Sequence, residues 1–523
     1  MESSKVQFNE VDESFFVDSP IKGLAAISVR TVRGPFGCPD NIITSWTEFA
    51  KLYGPEVSTF DGPTLAKRAL GRGAMLRVNK IGHYTSPADA TTLDAVTATI
   101  NQVAPFANQV ISMVDVQLFL LTLKYPGADY NNITVQITAP SNGNAAYFNI
   151  VITHATDSSL NETYQNITIP GNPAVKDCHF LDDLAANSPT FNVTYFDLSS
   201  YNVQMIPITG TWAIHNGSDG TAPGDNDYIG SPVSKVGVNA FDQYNDFEAF
   251  APIDKYSNTV LEAYGQYAQS RKDCVAFLHL PNTSATVAAL QSARTATTID
   301  DRHSYFIAGG LIIPDPLVSG ATRNIAEVGD VLGAAMASSK QFGPWYSFAG
   351  ANRGFIQGAL GVVNNFTTTA DLDLLANYQI NVVNNKSGTI LIRGNFSGQL
   401  ASSRKSFMNV VKLIIFIEKS LAPIFDGFIE EPNDFRTFSE IYNEVRPFLD
   451  SLKGNEKRAL VDYDWQGDQF ANQDSDLKVN NRADLDQGKY HVKLSLKEVV
   501  SMQVVTIDII STASGTTFTS NLG

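Results

Sequence analysis

Cys274-Val-Ala-Phe-Leu-His-Leu280 and Tyr305-Phe-Ile-Ala-Gly-Gly-Leu-Ile-Ile313 are apolar runs of strand length with helical patterns beside them. Between them, Thr286 to Arg294 reads as a helix; after them, Ile325, Val328, Leu332 and Met336 recur in helical period. Runs apolar at nearly every position fit strands covered on both faces, as in a parallel sheet. Upstream, Thr259 and Glu262 have the spacing of a capping box, opening a helix with Val260, Tyr264 and Tyr267 on one face. Strands alternating with helices of this length predict βαβ units. Residues 236–402 therefore read as an α/β domain.

Working toward the N-terminus, residues 21–83 have the same character. Leu24 to Val32 suits a strand, Ser45 and Glu48 box the start of a helix carrying Trp46, Phe49 and Tyr53, and Thr64 to Leu70 continues as a second helix. A strand through Met75 to Ile81 follows. Residues 84–235 differ: they are rich in Thr, Asn and Ser, and strands such as Ile133-Thr-Val-Gln-Ile137 and Phe148-Asn-Ile-Val-Ile152 alternate. Turn clusters Pro140-Ser-Asn-Gly143 and Pro170-Gly-Asn-Pro173 separate them. This stretch reads as an all-β module inserted into the α/β chain, closing at Gly217-Ser-Asp-Gly220.

Toward the C-terminus, residues 403–510 read as α+β. One helix starts near Ser403 and buries Phe407, Val410, Val411, Ile414 and Ile417; a second carries Phe438, Ile441, Tyr442, Val445, Phe448, Leu449 and Leu452. Pro447 lies inside the second and predicts a kink or break. Ala459 to Leu477 holds Asp462, Asp464, Asp468, Asp474 and Asp476 without a base, and reads as a solvated acidic loop; it lacks the spacing of a calcium-binding EF-hand. Alternating strands follow, with Tyr490, Val492, Leu494 and Leu496, then Val505, Ile507 and Ile509, before a Ser/Thr/Gly tail at 511–523. Residues 1–20 form an acidic arm whose apolar anchors are Phe15, Phe16 and Val17. Neither terminal segment has the apolar area to offset an ordering entropy of ~1–2 kcal/mol per residue, so each needs a host sheet.

Composition narrows the function. Of 523 residues, 37 are basic and 53 acidic, a net charge of −16, which argues against recognition of nucleic acid through clustered Lys and Arg. Only 17% are charged, so either the surface is rich in Ser, Thr and Asn or other molecules cover much of it. The cysteines, Cys38, Cys178 and Cys274, are scattered and imply no disulfide framework. The acidic N-terminus lacks the pattern of a secretory signal, and Leu413 to Ile417 is far too short to cross a membrane. Asn-x-Ser/Thr sequons such as Asn132-Ile-Thr are expected by chance in a chain so rich in these residues. No P-loop, dinucleotide fingerprint, HExxH or nucleophile elbow occurs. Asp242, His303 and Ser347 could be assembled on paper into a triad, but with many Ser and Asp available the choice means little. The expectation is a non-enzyme with no cofactor and no metal.

The motifs, in order, resemble those of the contractile tail sheath family: myovirus tail sheaths, phage-tail-like bacteriocins and related contractile injection systems. Arg33-Gly-Pro35, Thr44-Ser-Trp-Thr-Glu-Phe49 and Gly71-Arg-Gly-Ala-Met-Leu-Arg-Val78 resemble its N-terminal motifs. Tyr125-Pro-Gly-Ala-Asp-Tyr-Asn-Asn132 resembles its insert turn, and Gly217-Ser-Asp-Gly220 with Asp227-Tyr-Ile-Gly230 its return loop. Ile417-Glu-Lys-Ser420, Glu431-Pro-Asn-Asp434 and Asp484-Leu-Asp-Gln-Gly-Lys-Tyr-His-Val492 match the C-terminal third. Together these span about residues 20 to 510.

The resemblance implies a subtilisin-like α/β middle domain without protease function, an outer β module and an inner C-terminal domain. It implies arms that cross to neighbouring subunits, so Phe15, Phe16, Val17, Val505, Ile507 and Ile509 become candidate inter-subunit contacts. Partners implied are other copies in hexameric rings and a helical polymer, a tail tube protein, and baseplate and neck or terminator proteins, with no nucleic acid and no membrane insertion. The implied location is a virion tail assembled in the host bacterial cytoplasm. Lys453, Lys457 and Arg458, the densest basic cluster, are candidate tube-facing residues. Contraction would release energy stored at assembly, without a nucleotide. The alternatives are a virion or surface adhesin with a glycan-binding β module, which lacks a signal peptide or clear aromatic platform, and a hydrolase-like enzyme, which lacks its elbow.

Overall fold

The computed structural model describes residues 22–95, 99–101, 109–113, 116–168, 182–195, 207–281, 286–454, 456–468 and 479–503. Phe15, Phe16, Val17, Val505, Ile507 and Ile509 lie outside these residues, as do Cys178, Asp474, Asp476 and the 511–523 tail.

The chain opens with β1 (Leu24–Val29), β2 (Ile42–Ile43), α1 (Trp46–Tyr53), α2 (Gly62–Gly71) and β3 (Met75–Lys80). It then leaves to build the β-rich insert from β4 (Thr99–Asn101), β5 (Gln109–Met113), β6 (Val116–Leu123), β7 (Ile133–Thr138), β8 (Phe148–His154), β9 (Glu162–Ile167), α3 (Asp182–Asn187), β10 (Phe191–Tyr195) and β11 (Gly210–His215). These form a three-stranded sheet, β10-β6-β5, and a five-stranded sheet, β4-β11-β7-β8-β9, all antiparallel. The inward residues of β7, Ile133, Val135 and Ile137, alternate with Thr and Gln and share one core with Phe119, Phe148, Ile150 and Phe191.

The chain returns through α4 (Asp225–Ile229), β12 (Ala249–Pro252), α5 (Asn258–Arg271), β13 (Val275–His279), α6 (Val287–Thr295) and β14 (Ser304–Ala308). A side sheet of β15 (Leu311–Pro314), β16 (Thr322–Ile325) and, after α7 (Val328–Gln341), β17 (Gly361–Val362) follows; α8 (Thr369–Asn377), β18 (Ile380–Lys386) and β19 (Thr389–Arg393) complete the body. The main sheet runs β19-β18-β14-β13-β12-β1-β3-β2, parallel throughout except at its two edge pairs. Strands from before and after the insert thus lie side by side. Ala25, Ile27 and Val29 face the core under α1, α2 and α7, while Leu24 and Ala26 face that under α5, α6 and α8. Coverage on both faces explains the continuous apolar runs.

Several local expectations are corrected. The run Tyr305 to Ile313 is two strands, because Gly309 and Gly310 take φ of 145° and 121° and turn the chain between them. Ile325 closes β16 and does not belong to α7. α5 starts two residues earlier than the Thr259 cap predicts, with Ser257 at its N-cap, and Glu262 reaches instead to Thr298.

The last block holds α9 (Met408–Asp426), α10 (Phe435–Lys453), β20 (Leu460–Gln466), α11 (Arg482–Asp486) and β21 (Lys493–Glu498). α10 passes through Pro447 without ending there. Pro447 and Asn443, whose carbonyl loses its partner, both lie on the exposed side, where water can take the lost hydrogen bond. The acidic stretch is not all loop: Asp462 and Asp464 stand on the wet face of β20, while Tyr463 and Trp465 turn inward.

Candidate strand-docking site and its anchorage

β20 and β21 pair with each other alone among the described residues. Their register sets Tyr463 opposite Leu496 and Trp465 opposite Leu494 on the inner face, and Asp462 opposite Lys497 on the outer. The inner face packs on α10 and α9, yet Tyr463, Leu494 and Leu496 remain only half-buried. A two-stranded ribbon is marginal on its own, and among the described residues neither strand pairs with a third. Such an edge can take an added strand, with hydrogen bonds from the backbone and register from alternate side chains.

The ribbon is held by α9, which serves two cores. Met408, Val411 and Ile415 face the α/β body; Leu413, Phe416, Ile417, Leu421 and Ile424 face α10 and the ribbon. Two lysines a full seven residues apart bolt this helix down. Lys412 Nζ donates to Ser339 Oγ at 2.5 Å and Ala335 O at 3.4 Å on α7, and lies 3.3 Å from the Glu248 carboxylate. Burial lowers its pKa, and Glu248 opposes that shift. Lys419 Nζ donates to Asn245 O at 2.7 Å and Phe247 O at 2.8 Å. Sequence reading passed over both; their seven-residue spacing on a largely apolar helix was the signal.

The root of the C-terminal segment is fixed where β21 ends. Val499 N–H donates to Ala459 O at 3.0 Å, and Arg404 donates to Glu498 O at 2.7 Å. Asn409 Nδ2 donates to Val499 O at 3.1 Å, and Asn395 Nδ2 donates to Ser501 Oγ at 2.9 Å. Val499 to Gln503 then line a groove of about 780 Å³ that Trp345, Arg353, Arg393 and Arg458 share.

The three basic residues proposed to face a tube are exposed but not equivalent. Lys453 Nζ lies 2.7 Å from Asp462, which holds the ammonium pKa above its usual value and the carboxyl below its own. Lys457 Nζ donates to Ser451 Oγ at 3.1 Å, while Arg458 sits at φ 52° beside the groove. The paper triad falls apart: His303 Nδ1 lies 2.8 Å from Asp301, Asp242 accepts from Tyr267 at 2.7 Å, and Ser347 Oγ accepts from the Ala349 N–H at 3.2 Å. Among the described residues no cluster of three His, Cys, Asp or Glu is placed to hold a metal, and no helix is long and apolar enough to cross a membrane.

A second junction ties the insert to the body. Arg33 is fully buried and donates to Asp129 at 2.8 Å and Asp157 at 2.5 Å in the insert, and to Ala50 O at 2.7 Å at the end of α1. Asp227 at the insert's return accepts from the Tyr84 and Gly224 amides at 3.0 and 2.7 Å and contacts His83 Nδ1 at 3.0 Å.

No protein-family model and no curated protein matches the sequence. Solved structures do match in fold. A sheath tail protein of Listeria innocua is 12% identical with a TM-score of 0.57, over 91% of this chain and 95% of that one. A sheath tail protein of Desulfitobacterium hafniense is 12% identical with a TM-score of 0.55, over 89% and 94%. The helical sheath of the anti-feeding prophage in its contracted state is 10% identical with a TM-score of 0.54, over 97% and 99%. Across nearly its whole length, the chain has the fold of contractile sheath proteins.

Proposed function

We propose that the protein is the structural subunit of a contractile tail sheath. It polymerises in hexameric rings around a tail tube and contracts to drive the tube through a cell envelope. The observation that carries this reading is the unfinished β20–β21 ribbon, open on both edges among the described residues, with Leu494 and Leu496 half-covered on its inner face. The chain supplies candidate occupants in its own termini, residues 1–20 and the segment carrying Val505, Ile507 and Ile509, each too poor in apolar area to fold alone. A strand donated by one copy to the next makes every link conditional on the lattice.

Within this reading the insert faces outward, the C-terminal block faces the tube with Lys457 and Arg458 as contacts, and baseplate and neck proteins cap the polymer. The doubly covered sheet is the family's subtilisin-like domain, used as a scaffold. Assembly takes place in the bacterial cytoplasm, and contraction draws on a metastable lattice without a cofactor.

Removal of residues 1–20 tests the linkage. The truncated chain is expected to stay folded and soluble but to form no long cylinders by negative-stain microscopy. Cylinders of normal length from it would make the arm decoration and overturn its linking role.

A further inference from the structure

The two ends of the described chain converge on Trp345, Lys22 on its indole and Val499, through Asn409, on its backbone carbonyl. Trp345 follows α7 in a turn where Gly343 takes φ 116°; a Cβ at that glycine would lie 2.5 Å from the indole. The indole Nε1–H donates to Lys457 O at 2.6 Å, and the ring packs 5.6 Å from Phe416 of α9. On one side stands Lys22, which follows the N-terminal arm; its Nζ lies 5.0 Å from the Phe416 ring centre and 6.0 Å from that of the indole. Burial, and then the charge of Lys457, lowers the pKa of this ammonium, in keeping with its place in the same cluster.

On the other side stands the root of the C-terminal segment. Asn409 Nδ2 donates both to Trp345 O at 3.2 Å and to Val499 O at 3.1 Å, and its Oδ1 accepts from Asn395 at 2.7 Å. Asn395 in turn holds Ser501. Lys22 and Val499 share no hydrogen bond with each other; what they share is Trp345.

We propose that Trp345 couples the two arm roots, so that with the indole in place Lys22, α9 and Val499 to Ser501 move as one unit and load on one arm passes to the other. This rests on the reading of the termini as inter-subunit linkers. In a polymer linked by arms, such a hub would join each subunit's incoming and outgoing tethers by a short rigid path, sparing its sheet. Trp345 acts here as a positioning residue, and coupling between separated groups is its signature.

Hydrogen exchange on the full-length chain, kept dispersed at low concentration, reads the coupling directly. The reporters are the Gly23 amide, bonded to Glu248 Oε1 at 2.7 Å, and the Val499 amide, bonded to Ala459 O at 3.0 Å. Trp345→Phe keeps a ring against Phe416 but loses the bond to Lys457 O. It is expected to speed exchange at both reporters roughly twofold or more, the lower bound for coupled groups, while Phe306 in β14 stays protected. Lys22→Met is expected to speed exchange at the distant Val499 when Trp345 is present and to add nothing once it is Phe. If Trp345→Phe loosens the whole fold, Lys22→Met alone decides. An unchanged Val499 in that variant, or a Trp345→Phe effect confined to one root, overturns the proposal. The readout needs no polymer, so coupling in a chain that never assembles would leave the hub standing and remove the linking role of the arms.

Discussion

Arg33 shows how much a single position can carry. Its guanidinium is fully buried between the end of α1 and two insert carboxylates, Asp129 and Asp157, that remain partly open to water. Removing the carboxylates strands a charge in the interior, at a cost of about 3–5 kcal/mol; removing the charge lets the carboxylates rehydrate. Asp129→Asn with Asp157→Asn is therefore expected to lower stability more than Arg33→Met, as chemical denaturation would show; the reverse order would contradict the buried-charge account. Asp254 supplies a second residue-scale test. Its carboxyl accepts from Tyr228 OH at 2.6 Å and the Arg30 amide at 2.9 Å, and burial pushes its pKa up to about 6. Between the usual aspartate range near 4 and this value the folded chain holds the extra proton, so this carboxyl's contribution to stability falls as pH rises through that window. The loss is on the order of 2 kcal/mol, and Asp254→Asn is expected to flatten it in unfolding measured from pH 4 to 7. Sequence reading picked out Arg33 in its Arg-Gly-Pro turn, but its partners lie 96 and 124 residues away. No local spacing could name them.

At the scale of elements, the patterns that sequence carries best are those set by burial. The runs at 274–280 and 305–308 read as covered strands because helices pack on both faces of the main sheet, and the 3.6 spacing of α10 survives because one face is core. Single-residue readings failed where Pro447 sits within reach of water and where the aspartates of β20 occupy only its wet face; pattern readings failed where Gly309 and Gly310 split one apolar run. That β20 and β21 pair with no third strand among the described residues was not legible, since alternation gives a strand's face but not its neighbours. The same ribbon bears on the basic cluster. Lys453 is engaged by Asp462, leaving Lys457 and Arg458 as the exposed charges beside it. Lys457→Glu with Arg458→Glu is expected to weaken co-assembly with a tube protein, more at low salt than at high. Lys453→Glu should instead disturb the α10–β20 contact and lower thermal stability. Pelleting assays across salt would check the first, and unchanged co-assembly at low salt would remove the tube-facing assignment.

At the scale of the molecule, one helix, α9, belongs to two cores, and a clamped insert stands on the body through Arg33 and Asp227. The described residues hold a doubly covered sheet and an anchored ribbon that pairs with no third strand among them, while the terminal segments are poor in apolar residues. With 17% charged residues, such a chain has surface to bury against copies of itself. The central claim is that this burial is polymeric. Negative-stain microscopy of the purified full-length chain, with no tube and no cofactor added, tests it most directly. Long hollow cylinders with ring-like striations are the predicted result; a monodisperse monomer at high concentration, with both termini intact, would contradict it.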